Sequence, residues 1–138
     1  EIRMAQTKRD FLNELVKVND LNIDEDIFKL PLGGKQIAII TRTGIEKIQY
    51  NNDINVTYEA VSITPSFIVV KAMGTSKDLY AETYGEASDA NLNKGSSKYP
   101  MAMAEKRALA RVVLKLCGAY KHGVYAEDEA DDFKRKEN

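Results

Sequence analysis

Tyr99-Pro100-Met101-Ala102-Met103-Ala104-Glu105-Lys106-Arg107-Ala108-Leu109-Ala110-Arg111-Val112-Val113-Leu114-Lys115-Leu116-Cys117-Gly118 is a helix with two different faces. Met101, Ala104, Ala108, Leu109, Val112, Val113 and Leu116 form an apolar seam at helical spacing. Arg107, Arg111 and Lys115 recur one turn apart and fall within about 80° of arc, with Lys106 on the other side of the seam. Like charges at i,i+4 cost an isolated helix a few tenths of a kcal/mol. Two readings of the stripe are therefore open, an anion site or cations snorkelling at the edge of a core. Pro100 suits a first turn, where its missing N–H costs nothing, and Gly118 suits a C-cap.

Upstream of this helix the period changes from 3.6 to 2. Three strands are predicted, about Asn55 to Ile63, Phe67 to Met73 and Leu79 to Glu86. Thr64-Pro65-Ser66 and Gly74-Thr75-Ser76-Lys77-Asp78 read as the hairpin turns between them. Val56, Tyr58 and Ala60 share one parity, and Val61 and Ile63 the other, which predicts a bulge. The second strand is apolar on both parities and belongs at the centre. In the third, Ala81, Thr83 and Gly85 are small, while Tyr80, Glu82, Tyr84 and Glu86 line the opposite face. Residues 87–98 form a long polar loop by composition.

Nearer the N-terminus, Thr7 or Asp10 can cap a helix running to about Val18, ended by Asn19-Asp20. Residues 20–35 look irregular and close on the turn cluster Pro31-Leu32-Gly33-Gly34. Residues 36–50 are ambiguous. Gln36 to Thr41 is β-branched, and helical spacing favours a helix from about Thr41 to Tyr50. The expected fold class is α+β, a three-stranded antiparallel meander packed against a long C-terminal helix, with N-terminal helices. The expected organisation is an N-terminal helix and connector over 1–35, a β-β-β-α core over 36–126, and an acidic tail over 127–138.

Composition narrows the function. The 138 residues carry a net charge of -1, so the chain as a whole is not a polybasic binder. The charge is uneven, with 11 Lys/Arg against 8 Asp/Glu over 36–126 and 3 against 6 over 127–138. A single cysteine, Cys117, excludes an intrachain disulfide and suits a reducing compartment. No apolar run approaches the roughly 18 residues of a membrane span, and no secretory signal pattern is visible.

Enzyme signatures are sparse, and the expectation is a non-enzyme without metal or cofactor. His122 is the sole histidine and sits in a Gly-flanked turn that reads as surface, while Cys117 reads as a buried small hydrophobe. Gly33-Gly34-Lys35 fails as a phosphate loop, because Lys29 stands where the first glycine belongs and Gln36 follows the lysine. No His/Cys cluster has zinc spacing. Glu127, Asp128, Glu129, Asp131 and Asp132 read as a solvated tail rather than an ion site. The basic stripe, with Lys94 and Lys98 before it and Tyr99 as a stacking ring, is the feature that suits nucleic acid.

Three segments carry a family resemblance. They are Ile40-Thr41-Arg42-Thr43-Gly44-Ile45-Glu46-Lys47-Ile48, Glu82-Thr83-Tyr84-Gly85-Glu86-Ala87-Ser88, and Met103-Ala104-Glu105-Lys106-Arg107-Ala108-Leu109-Ala110-Arg111. In order and spacing the chain resembles the single-strand annealing proteins, the recombination mediator Rad-fifty-two and its phage relatives of the Sak, Erf and Red-beta types. The resemblance covers roughly residues 36–126 and is strongest to the short phage and prokaryotic members. It implies ATP-independent binding of single-stranded DNA, annealing of complementary strands, and ring or helical homo-oligomers. It also implies roles in DNA recombination and repair in the cytoplasm of a bacterial or phage-infected cell, with a phage exonuclease or a host single-strand-binding protein as further partners. The Lys-Arg-Ala-Leu run assigns DNA contact to Lys106 and Arg107. Arg111, Lys115, Lys94, Lys98, Tyr99 and Arg42 complete the candidate set. The chain is shorter and less basic than the better-known members.

Two rivals remain. One is a non-enzymatic interaction adaptor in phage replication or host defence, using the acidic tail and the aromatic turn of Tyr120, Tyr125 and Phe133. The other is a metal-dependent nuclease built on Glu82, Glu86 and Glu105.

Overall fold

A computed structural model of the protein describes residues 8–88 and 99–130. Thr7, Lys94, Lys98, Asp131, Asp132 and Phe133 lie outside the described residues. The fold is α+β, and its contacts divide it into two units: Glu1–Asn51 with Cys117–Asn138, and Asn52–Leu116.

The second unit is the meander expected from the sequence. β3 (Asn55–Thr64), β4 (Phe67–Ser76) and β5 (Leu79–Ser88) form an antiparallel sheet with β4 at its centre. The strands run further than the sequence suggested, so the second turn shrinks to Lys77-Asp78, with Lys77 taking φ 56°. The register between β3 and β4 shifts between Ala60 and Ser62, leaving Val61 as the extra residue of the expected bulge. Ile68, Val70 and Ala72 of β4 are buried on the face that α3 (Pro100–Cys117) covers, with Ala81 and Ala87 of β5 beside them.

Two glycines set how closely α3 sits. A Cβ on Gly74 would stand 2.9 Å from the Val112 side chain. One on Gly85 would fall on the Ala104 carbonyl oxygen and the Ala108 nitrogen. Helix backbone therefore lies almost directly on strand backbone, which only Gly85 opposite Ala104 and Ala108 permits. The Thr83 hydroxyl donates to the Ala108 carbonyl at 2.7 Å and fixes the same crossing.

The first unit corrects the reading of residues 20–40 as a connector followed by an uncertain helix start. β1 (Ile27–Leu32) and β2 (Lys35–Ile40) form an antiparallel hairpin. Gly33 and Gly34 are its two-residue turn, at φ 57° and 81°. Pro31 argued against a strand, but β1 is an edge strand, where a missing N–H is tolerated. Phe28, Leu30 and Leu32 alternate with exposed Lys29 and Pro31 and pack against Ile37, Ile39 and Ala130. β2 is central, with Ile37 to Ile40 all buried, and pairs in parallel with the short β6 (Val124–Ala126). The turn-rich segment after Gly118 is thus a 3-10 turn at Tyr120–His122 followed by a strand.

α1 (Lys8–Asn19) and α2 (Arg42–Asn51) lie close to their predicted positions. Thr41 caps α2 by accepting the Gly44 N–H at 3.4 Å. Asp26, only 2% exposed, ties the start of β1 to that helix. Its carboxylate accepts from the Asn22 N–H, the Thr43 hydroxyl and the Lys47 ammonium, each at 2.7 Å. Burial pushes the Asp26 pKa up, but these three donors outweigh it and hold the group below its ordinary value.

The acidic tail does not begin at residue 127 as a solvated segment. The chain is helical over 127–130, Ala130 is buried, and Glu129 accepts from the Ala126 N–H at 3.0 Å and the Tyr120 hydroxyl at 3.2 Å. His122, expected on the surface, is half-buried and stacks on Phe11 with ring centroids 4.3 Å apart.

Candidate nucleic-acid interface

The three cations of the α3 stripe meet the edge of β5. Arg107 is 7% exposed, and its guanidinium donates to the Glu86 carbonyl at 2.8 Å. Arg111 donates to the Tyr84 carbonyl at 2.6 Å and pairs with the Glu86 carboxylate at 2.9 Å. The Lys115 ammonium stands 3.3 Å from the Glu82 carbonyl.

The match is one of pitch. Four helix residues rise about 6 Å and two strand residues about 6.7 Å, so cations at i, i+4 and i+8 face alternate carbonyls of an antiparallel strand. β5 ends the sheet, and these carbonyls point away from β4. The stripe thereby satisfies a row of edge acceptors that would otherwise be open to another strand.

Glu86 is the partner that sequence reasoning missed, since the sequence places it on the outer face of the third strand and in the nuclease alternative but not against Arg111. Burial raises its pKa, and the Arg111 hydrogen bond and charge outweigh this and lower it. The signal available was spacing alone: an acid on the edge strand within reach of an i,i+4 pair of arginines.

The remaining candidates separate. Lys106 is exposed on α3, Lys115 is exposed beyond its carbonyl contact, and Tyr99 is 65% exposed ahead of the first turn. Arg42 belongs to the first unit, at the exposed start of α2, where its backbone N–H donates to Glu127 at 3.2 Å. Lys94 and Lys98 fall outside the described residues.

The sheet face opposite α3 carries Glu59, Lys71, Tyr80, Glu82, Tyr84 and Glu86 by register. Lys71 pairs with Glu82 at 3.2 Å, and the Tyr80 hydroxyl bonds the same carboxylate. The Tyr80 and Lys71 contacts lower the Glu82 pKa. Among the described residues, no group of three His, Cys, Asp or Glu side chains is arranged to hold a metal ion. Burial pushes the Cys117 thiol up to about 11, which leaves little thiolate at neutral pH. Among the described residues no helix is long and apolar enough to cross a membrane.

Two of the three resemblance segments, the second and the third, are in contact, and the first packs on Asp26 instead. Gly85 and Glu86 of the second meet Ala104, Arg107, Ala108 and Arg111 of the third. In the first, Thr43 bonds Asp26, and a Cβ on Gly44 would stand 3.0 Å from the Asp26 carbonyl oxygen. No family model matches the chain, and no curated protein matches it.

Proposed function

We propose that this protein binds single-stranded DNA without ATP and promotes annealing during homologous recombination in phage or mobile-element biology, as a cytoplasmic homo-oligomer. The observation that carries this reading is the mutual engagement of the second and third motifs. Short sequence words that pack on one another in a β-β-β-α unit, in the order of the resemblance, are parts of one device. Backbone-tracking binding needs exposed cations and a stacking ring. Lys106 on α3 and Tyr99 just ahead of it are exposed and supply a cation and a ring, and Lys115 is exposed on the opposite side of the helix. Arg107 and Arg111 act as positioning residues that hold α3 on the sheet edge.

The test is fluorescence anisotropy of labelled oligo-dT across a salt series. Binding is expected to weaken steeply with salt, and Lys106→Glu should lower the affinity several-fold and reduce the log–log slope by about 0.7 or more. Arg107→Glu should lower the melting temperature, because it sets a buried carboxylate against the Glu86 carbonyl. Affinity that is flat with salt, or unchanged in Lys106→Glu, overturns the assignment.

The face bearing Glu59, Glu82 and Glu86 with exposed Tyr80 and Tyr84 favours a second reading, an interaction module for a basic protein partner. A folded chain that ignores oligo-dT at low salt would select it.

A further inference from the structure

We propose that β3 pairs with β3 of a second copy of this chain, antiparallel and two-fold symmetric about Tyr58, to make one continuous six-stranded sheet. This stands independently of nucleic-acid binding.

Arg107, Arg111 and Lys115 occupy the outward carbonyls of Glu86, Tyr84 and Glu82, so the β5 edge is closed to strand addition. The same contacts fix the hydrogen-bond phase across the sheet. Glu82, Tyr84 and Glu86 lie opposite Met73, Lys71 and Val69, whose backbone groups must therefore face β3. Met73 and Lys71 lie opposite Thr57 and Glu59. By alternation, the N–H and C=O groups of Val56, Tyr58 and Ala60 face outward.

β3 is ten residues long, and between Thr57 and Val61 every residue is exposed. It lacks the lysine or proline that commonly protects an edge, and the bulge at Val61 leaves the five residues before it in regular register.

The sequence of those five residues is self-complementary. Antiparallel pairing about Tyr58 places Val56 opposite the partner's Ala60 and Tyr58 opposite the partner's Tyr58, both as hydrogen-bonded pairs. Thr57 then falls opposite the partner's Glu59 in the closer, non-hydrogen-bonded pair. About six backbone hydrogen bonds result. No like charges face each other, whereas a shift of the axis to Glu59 would oppose two carboxylates. Tyr58 is 39% exposed, so two rings meet at the axis and bury one another. The symmetry is isologous and closes at two copies; a ring or filament needs a second interface as well.

Sedimentation velocity on the full chain, from roughly 1 to 500 µM, should show a monomer–dimer equilibrium. Val56→Pro removes an outward N–H and leaves the β3–β4 ladder intact, so it should weaken the dimer by about tenfold or more. In a Cys117→Ser background, Thr57→Cys and Glu59→Cys chains should form a disulfide on mixing and far less when oxidised separately, since those positions pair only with each other. If Val56→Pro fails to fold, the cysteine mixture decides alone. A chain that stays monomeric throughout, an assembly untouched by Val56→Pro, or a cysteine variant that crosslinks alone as readily as the mixture overturns the proposal.

Discussion

Gly85→Ala is expected to destabilise the second unit by about 3 kcal/mol or more. The added methyl would fall on the Ala104 carbonyl oxygen and the Ala108 nitrogen, which are backbone atoms. A clash with a side chain relaxes through a rotamer; a clash with helix backbone relaxes only if the helix lifts off. Lifting it lengthens the Thr83 hydroxyl bond to the Ala108 carbonyl and the Arg107 bond to Glu86 together. Because backbone is the obstacle, Ala108→Gly in the same chain should not rescue it. Urea denaturation of the single and double variants measures both effects. A Gly85→Ala midpoint within experimental scatter of the parent would mean that α3 is not held against the sheet at this distance.

The second large effect is at Asp26 in the first unit. Asp26→Ala should cost about 2 kcal/mol, because it removes together three hydrogen bonds, from the Asn22 N–H, the Thr43 hydroxyl and the Lys47 ammonium, to a carboxylate that is 2% exposed. Lys47 matters less. Its side chain is 44% exposed, so water replaces much of what the ion pair supplies, and Lys47→Ala should cost under about 1 kcal/mol. The sign of the pH dependence follows from the depressed pKa. The Asp26 contribution is fully present above the unfolded carboxyl value of 3.8 and is lost as pH falls through the lower folded value. The stability gap between the parent and Asp26→Ala should therefore be widest near neutral pH and shrink below about pH 4. A gap that stays constant down to pH 2 would show that the carboxylate charge plays no part.

The second unit was legible in the sequence because its signals are local. Period-2 alternation, the parity switch at Val61, and the small residues Ala81, Thr83 and Gly85 each state their own geometry. The helices of the first unit were legible for the same reason, but its sheet was not, because it depends on a pairing between Ala38 and Val124 that no local window contains. A three-residue strand such as β6 has no periodicity of its own. Pro31 then masked the alternation of Phe28, Leu30 and Leu32. The stripe was half legible. Arg107, Arg111 and Lys115 announce a row of acceptors, but the acceptors are backbone carbonyls of β5, and a sequence does not write those. Lys106, set off from the stripe, is exposed on α3.

The parallel pairing of β2 with β6 has a consequence for synthesis on the ribosome. The first unit is discontinuous, and its last strand emerges some 85 residues after the strand it completes. The second unit is continuous from Asn52 to Leu116 and holds mostly hairpin contacts, so it is able to close while the chain is still growing. Ile37 to Ile40 are meanwhile left with one neighbour instead of two. The nascent chain carries an incomplete sheet until Ala126 has emerged from the ribosome, and a chain truncated between Leu116 and Ala126 would hold one finished unit and one aggregation-prone one.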